Sequence, residues 1–259
     1  MVENHEARGV VLANGEEIRS HVTISNADPK RTFLSLVPAD HLEPDFKRQV
    51  ERLSTNASYL KFHAALNELP DFSHYLSANF DPHYLAQVKI CPSVDYFEQS
   101  WRDAQSGRPS RTPMMEVQIP SVYDQTLCQP GHHVVSIWVL YAPSRLREGS
   151  WEDKRQGVGE HLIDTLTTYA PNFRRALVDW TLFTPPDLEQ RVGLTDGNIR
   201  HIDIIPHQMF ARRPLPGWAQ YRTPIPQLYL CGAGTHPGGE VTGAPGHNAS
   251  QAILADLSR

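Results

Sequence analysis

The chain has 259 residues, 40% of them hydrophobic, and sets 24 basic side chains against 29 acidic ones for a formal charge of −5. That length suits one to two domains and is enough to bury a real core, while the mild acidity gives no electrostatic reason to expect nucleic acid or an anionic membrane as a partner. The longest apolar run, Val134 to Ala142 with Ser136 inside it, is far short of the ~20 residues of a spanning helix, so no integral membrane segment is expected.

The start, Met1-Val2-Glu3-Asn4-His5-Glu6, is polar and acidic and does not read as a signal peptide. Cys91, Cys128 and Cys231 are odd in number and lack a Cys-x-x-Cys pair, which argues against a disulfide scaffold or a Cys-based zinc site. A cytoplasmic location is expected, or the mitochondrial matrix in a eukaryote. The 21 prolines, about 8% against a usual ~5%, imply short elements and sharp turns.

In chain order, Gly9-Val10-Val11-Leu12 and Ile18 flank Asn14-Gly15, the signature of a hairpin turn needing positive φ. His21 to Ser25 alternates, with Val22 and Ile24 on one face, and stops at Asn26-Ala27-Asp28-Pro29. Helical spacing follows at Phe33, Leu34 and Val37, then at Phe46, Val50 and Leu53. Tyr59, Phe62 and Leu66 mark a strand, and Val94, Phe97, Trp101 and Ala104 a helical stripe closed by Gly107. Ser106 to Pro113 reads as an exposed loop. Met115, Val117 and Ile119 alternate as a half-buried strand, and Val134 to Tyr141 has strand length. Val158, Leu162, Leu166 and Tyr169 mark a helix. Val178, Trp180 and Leu182 form a strand ending at a helix start, with Thr184 as cap and Pro185 in the first turn.

Glycine placement is the informative feature. Six of the 16 glycines (Gly232, Gly234, Gly238, Gly239, Gly243 and Gly246) lie within fifteen residues, after the strand Leu228-Tyr229-Leu230-Cys231 and before a helix with Ala249, Ala252 and Ile253 on one face. Such a loop lets backbone approach a flat or phosphorylated ligand, and the helix after it offers unpaired N–H groups and a positive dipole end; a tight surface connection is the competing reading. The loop is not the dinucleotide fingerprint G-x-G-x-x-G, because Pro237 holds the sixth position and the helix starts about ten residues late.

Leu-Tyr-Leu-Cys-Gly-Ala-Gly-Thr-His-Pro-Gly-Gly at 228–239 resembles the C-terminal signature of the phytoene desaturase-related FAD-dependent oxidoreductases. Gly9 to Glu16, Ser25-Asn26-Ala27-Asp28-Pro29, Thr184-Pro185-Pro186-Asp187-Leu188-Glu189, Gly197-Asn198-Ile199, Arg213-Pro214 and Tyr221-Arg222-Thr223-Pro224 stand in the family's order, so the resemblance runs over nearly the whole chain. It departs at Glu240, where the family usually has a third consecutive glycine. The family's G-x-G-x-x-G opening and ribose-binding acid have no counterpart here, so the chain resembles the C-terminal half of such an enzyme.

The resemblance implies an α/β plus α+β fold: an incomplete Rossmann-like FAD domain, residues 1–55 and 206–259, with an inserted mixed-sheet substrate domain at 56–205. It implies FAD as cofactor and hydride transfer from an apolar small-molecule substrate. Asn26 and Ala27 would lie near the pyrophosphate. Gly232, Ala233, Gly234, Thr235, His236, Pro237, Gly238, Gly239, Val241, Thr242 and Gly243 would lie along the ribityl and isoalloxazine parts, with the final helix aimed at the pyrimidine edge. No catalytic residue is assigned, since the chemistry belongs to the flavin. Completion of the site falls to a homodimer partner or to an N-terminal half. The alternative is a truncated, non-catalytic fragment that acts at most as a partner-binding half.

Other candidates stand lower. His132-His133, His201 and His207 show no metal-ligand spacing, and no metal site is expected. His236 and Glu240 are substrate- or flavin-contacting groups or else turn residues. Arg212-Arg213 offers an anion site, against the commoner reading of a solvated pair. No G-x-S-x-G elbow appears. The Val134 strand and the Trp101 stripe are core, or the lining of an apolar pocket.

Overall fold

In the computed structural model, which describes residues 1–239 and 241–258, the chain divides into two units: residues 1–55 with 189–259, and residues 56–188. The first unit opens with a short antiparallel pair, Val2–Glu3 with Glu6–Ala7, and then forms the expected hairpin. Strand β1 (Gly9–Val11) pairs antiparallel with β2 (Glu17–Arg19) across the Asn14-Gly15 turn. Strand β3 (Thr23–Ser25) follows and ends where Asp28 caps a helical turn, its carboxylate accepting from Arg31 N at 2.8 Å. Helix α1 (Pro44–Glu51) starts on a proline suited to a first turn and buries Phe46 and Val50. Phe46 packs edge-on against Phe33 (4.9 Å) and Trp218 (5.7 Å) in this unit's core.

The second unit is built on β4 (Ser58–Leu66), β5 (Val88–Ile90), helix α2 (Val94–Gln105), β6 (Met114–Gln118), β7 (His133–Ala142), helix α3 (Trp151–Tyr169) and β8 (Leu177–Phe183). The five strands form one sheet in the order β8-β4-β7-β6-β5. Every neighbouring pair is antiparallel, which corrects the expectation of a mixed sheet. Helix α3 does carry the chain from β7 to β8, but β8 lands beyond β4 rather than beside β7 and so meets an oppositely running neighbour. Period-two alternation sets the faces. Phe62, Leu66, Met115, Val117, Ile137 and Leu182 are buried with Leu162, Ile163 and Leu166 of α3, while Lys61, His63, Glu116 and Trp138 lie on the opposite, half-buried face.

The α2 stripe is displaced from its expected position. Val94 is 77% exposed, and the buried positions are Ser100, Asp103 and Ala104. Two polar side chains turn inward because each has a partner. Ser100 Oγ donates to the Leu140 carbonyl, and the Asp103 carboxylate accepts from Arg111 Nη2 at 2.9 Å and from its backbone N–H at 3.0 Å.

Helix α4 (Pro185–Val192) carries the chain back to the first unit. Residues 189–205, grouped with the middle region by sequence, pack in the first unit. Thr195 donates from its N–H (3.1 Å) and hydroxyl (2.8 Å) to Asp28, and Asp203 N donates to the Ser54 carbonyl (2.9 Å). Strand β9 (Leu228–Leu230) then pairs parallel with β3, Tyr229 opposite Ile24, and helix α5 (Ala244–Leu257) buries Ala249 and Ile253. Among the described residues no helix is long and apolar enough to cross a membrane.

Candidate functional site

The glycine-rich loop leaves β9 directly beside the end of β3. Cys231 N donates to the Ser25 carbonyl at 2.9 Å, so the next residues of each strand, Gly232 and Asn26, come into contact. A Cβ on Gly232 would lie 2.5 Å from the Asn26 carbonyl oxygen and 2.8 Å from His201 Cε1. One on Gly234 would lie 2.5 Å from Pro29 Cδ. Glycine is therefore required at both positions by close approach. The structure thus brings together the two segments that the sequence had singled out separately. Asn26 and Ala27 also line a concavity of about 240 Å³ with Thr23, Thr32 and Leu228.

Thr235 closes the first turn of the loop, its N–H and hydroxyl both reaching the Gly232 carbonyl at 3.0 and 2.9 Å. Ala233 presents its carbonyl to Arg213. The His236 carbonyl accepts from the buried Tyr221 hydroxyl at 2.8 Å, while its ring approaches Phe210 at 6.2 Å and its Nδ1 is buried with no hydrogen-bond partner among the described residues. Pro237 is exposed. Gly238 is buried at φ +113°, and Gly239 is close enough to Ala233 that an added Cβ would sit 3.2 Å from the alanine methyl. Glu240 lies outside the described residues. Val241 and Thr242 face solvent, the Thr242 hydroxyl accepting from Ala244 N at 3.2 Å. Gly243, at φ 69°, is the N-cap of α5 and contributes no side chain to its first turn.

Two residues that sequence reasoning set aside belong to this region. Arg213 is 1% exposed, and the solvated-pair reading is wrong for it although its neighbour Arg212 is exposed. Its guanidinium donates to the carbonyls of Ala233, Asp203, Gln208, Arg200 and Ile202 at 2.7–3.2 Å. With its donors spent on backbone, it frames the loop and leaves no fork for an anion. Burial, and secondarily Arg200, pushes its pKa down to about 10, Asp203 opposing, so it stays charged at neutral pH.

His201 is the other. It lies against Gly232 and Gly234, and its Nδ1 is buried without a partner among the described residues. Burial pushes its pKa below the usual histidine range, with Asp28 opposing and Arg213 adding to the fall. The imidazole is therefore neutral near pH 7. Its distance in sequence from the loop concealed it; Gly197-Asn198-Ile199 just upstream was the only signal. Asn198 is buried and donates to Asp203 at 2.7 Å, fixing the turn that delivers His201.

Three features of the loop bear on what could bind there. Gly238 and Gly239 carry no side chains although neighbours pack against them, Nδ1 of His201 and of His236 has no hydrogen-bond partner among the described residues, and Gly243 gives α5 no side-chain cap, the Thr242 hydroxyl taking only the Ala244 N–H. Among the described residues, no three His, Cys, Asp or Glu side chains are grouped to share a metal ion.

The glycine loop joins a strand of a parallel pair to the helix α5. The structure of an oxidoreductase from Methanosarcina mazei superimposes with a TM-score of 0.56 at 14% identity, covering 100% of this chain and 47% of that one, a likeness of fold. No family model matches. In sequence the chain is similar over its whole length to phytoene desaturase-like proteins. It is 39% identical to pyridine nucleotide-disulfide oxidoreductase domain-containing protein 2 of Mus musculus over 257 residues, which is 97% of this chain and 44% of that protein. It is 27% identical to the lycopene-forming phytoene desaturase of Pseudescherichia vulneris over 261 residues, 99% of this chain and 49% of the relative. The chain thus spans about half the length of these curated relatives.

Proposed function

We propose that this chain is the part of an FAD-dependent oxidoreductase that receives the ribityl and flavin portions of the cofactor and carries the substrate domain. The observation that supports this best is the contact of Asn26 with Gly232, which joins both proposed cofactor segments at the ends of two parallel strands. FAD, when bound, supplies acceptance of a hydride from a substrate C–H bond. The chain's own residues bind and orient. Asn26 and Ala27 would hold the pyrophosphate side, and the backbone of Gly232 to Gly239 would lie along the ribityl chain. His201 and His236 would offer Nδ1, and the first turn of α5 would favour negative charge at the flavin's pyrimidine edge by up to ~1–2 kcal/mol. The substrate would be apolar, taken up by the unit formed by residues 56–188.

A second reading rests on the sheet of the first unit. Thr23 N donates to the Gln227 carbonyl and Cys231 N to the Ser25 carbonyl, so Ile24, between them, turns its own N–H and C=O away from β9. Among the described residues no strand pairs with that edge. Two-stranded parallel sheets are rare alone because such sheets are normally covered on both faces, and Ile24, Val10, Val11, Leu34 and Leu36 are exposed nearby in sequence. This favours a half that docks a further segment or a second chain before cofactor binds. A flavin-fluorescence titration separates the readings: FAD bound by the chain alone, and lost in Gly239→Val, supports the cofactor site, whereas binding that appears only with an added N-terminal half supports the partner-binding reading. Unchanged binding in Gly239→Val overturns the assignment of the loop.

A further inference from the structure

The loop Ser106 to Pro113, which the cofactor reading leaves unused, walls a cavity of about 500 Å³ within the second unit, together with residues 147–148 and the start of α3. We infer that this cavity binds a phosphorylated small molecule of nucleoside-diphosphate size, its phosphates held by Arg108, Arg147 and Lys154. The cavity is lined by four cations, these three and Arg111, against two carboxylates, Glu148 and Asp153, in a chain whose net charge is −5.

The charges are not distributed as a mutually neutralised surface. Arg111 is committed to the buried Asp103 carboxylate, 2.9 Å away. Asp153 is committed to the α3 capping box, accepting from Ser150 N at 3.2 Å and Ser150 Oγ at 2.7 Å. Arg108, Arg147 and Lys154 form no ion pair among the described residues, which leaves three cations against Glu148 and Asp153, whose carboxylate keeps its charge while it caps α3 and feels Lys154 beside it. Guanidinium forks match phosphate oxygens in a bidentate way, and an ammonium adds a point charge.

The walls are preorganised. Arg147 N donates to the Gly107 carbonyl at 2.8 Å, and the two loops press so closely that a Cβ on Gly107 would sit 2.9 Å from Arg147 Cβ. Arg108 N is tied to the Asp103 carbonyl at 3.0 Å, and the Arg111 carbonyl lies 3.2 Å from His161 Nε2. The arginine-bearing loop is thereby fixed at both ends before any ligand arrives, which lowers the ordering cost of binding. On the helix side Val158 and the bare backbone of Gly157, where an added Cβ would meet nothing within 4 Å, offer a surface for an apolar or flat body. The volume lies within the ~300–1,000 Å³ usual for small-molecule sites.

The test is calorimetric titration of the purified chain with ADP, inorganic pyrophosphate and adenosine. Saturable binding of ADP at one site, weaker binding of pyrophosphate and weakest of adenosine is expected, falling with added salt. Arg108→Gln/Arg147→Gln should weaken ADP at least about tenfold, and Lys154→Gln less. All three side chains are exposed, so melting temperatures should be unchanged. ADP is also half of FAD, and Gly239→Val separates the sites: ADP binding retained in Gly239→Val and lost in the arginine variant supports the cavity. ADP binding lost in Gly239→Val and retained in the arginine variant, or no saturable binding at all, overturns it.

Discussion

The guanidinium of Arg213 grips the carbonyl of Ala233 with two donors, Nε at 3.1 Å and Nη2 at 2.7 Å. The same side chain holds four other backbone carbonyls, so the conformation of the glycine loop depends on a buried charge placed twenty residues upstream. Arg213→Ala should cost about 3–5 kcal/mol, because it leaves five backbone carbonyls without this donor. Arg213→Lys should recover little, because three donors on one nitrogen cannot reach five carbonyls spread around a planar fork. Urea unfolding would measure both; a loss below about 1 kcal/mol for Arg213→Ala would show that the loop does not rely on it.

Gly232 and Gly246 make a paired test of which glycines the loop requires. Gly232→Ala drives a methyl into the Asn26 carbonyl and His201 and should destabilise by about 1–3 kcal/mol or more. Gly246→Ala, in α5 with nothing within 4 Å of the added carbon, should be neutral or stabilise by about 0.5–1 kcal/mol. Equal melting temperatures for the two variants would contradict the packing described for β3 and β9.

Asp187 sets a pH dependence in the second unit. Burial alone would raise its pKa, but hydrogen bonds from Arg155 and from the Thr184 hydroxyl and N–H outweigh that and hold it down at about 2. With the folded value below the unfolded one of ~3.9, the stabilisation is fully present above about pH 4 and is lost as pH falls through about 2. Asp187→Asn should therefore cost roughly 2 kcal/mol at neutral pH, and the gap to wild type should close below pH 2 to 3. A gap independent of pH would show that the carboxylate's charge contributes nothing.

Lys61 has the opposite sense. It lies on the half-buried sheet face, its ammonium 3.9 Å over the Trp138 ring, with Glu116 beyond and Lys89 at 3.1 Å from that carboxylate. Burial pushes its pKa down to about 8, Glu116 opposing. The unfolded chain binds the extra proton between about pH 8 and the ordinary ~10.4, so this residue's contribution becomes more favourable as pH rises through that window. Lys61→Met should raise the melting temperature at pH 7, and the gain should shrink above pH 8. A gain that persists unchanged to pH 11 would mean that packing, rather than charge, sets the effect.

Much of this architecture is legible in the residues. Asn14-Gly15 announces its hairpin, Met115 and Val117 of the expected alternation lie buried on β6 with Ile119 buried just past its end, and the glycine cluster follows a strand and precedes a helix as its composition implies. What escaped depends on contacts distant in sequence. Ser100 and Asp103 turn the inner face of α2 polar because partners at Leu140 and Arg111 await them, and no periodicity records that. The sheet's antiparallel order depends on where β8 lands after α3. Arg213 and His201 join the loop through backbone carbonyls and bare glycines, which carry no side-chain signature.

The most direct measurement is the visible absorbance of the purified chain, as isolated and after addition of FAD and desalting. The cofactor reading predicts a retained flavin band for the wild-type chain or for the chain joined by an added N-terminal half, and its loss in Gly239→Val. A chain that stays colourless both alone and with that half, while remaining folded, would contradict it.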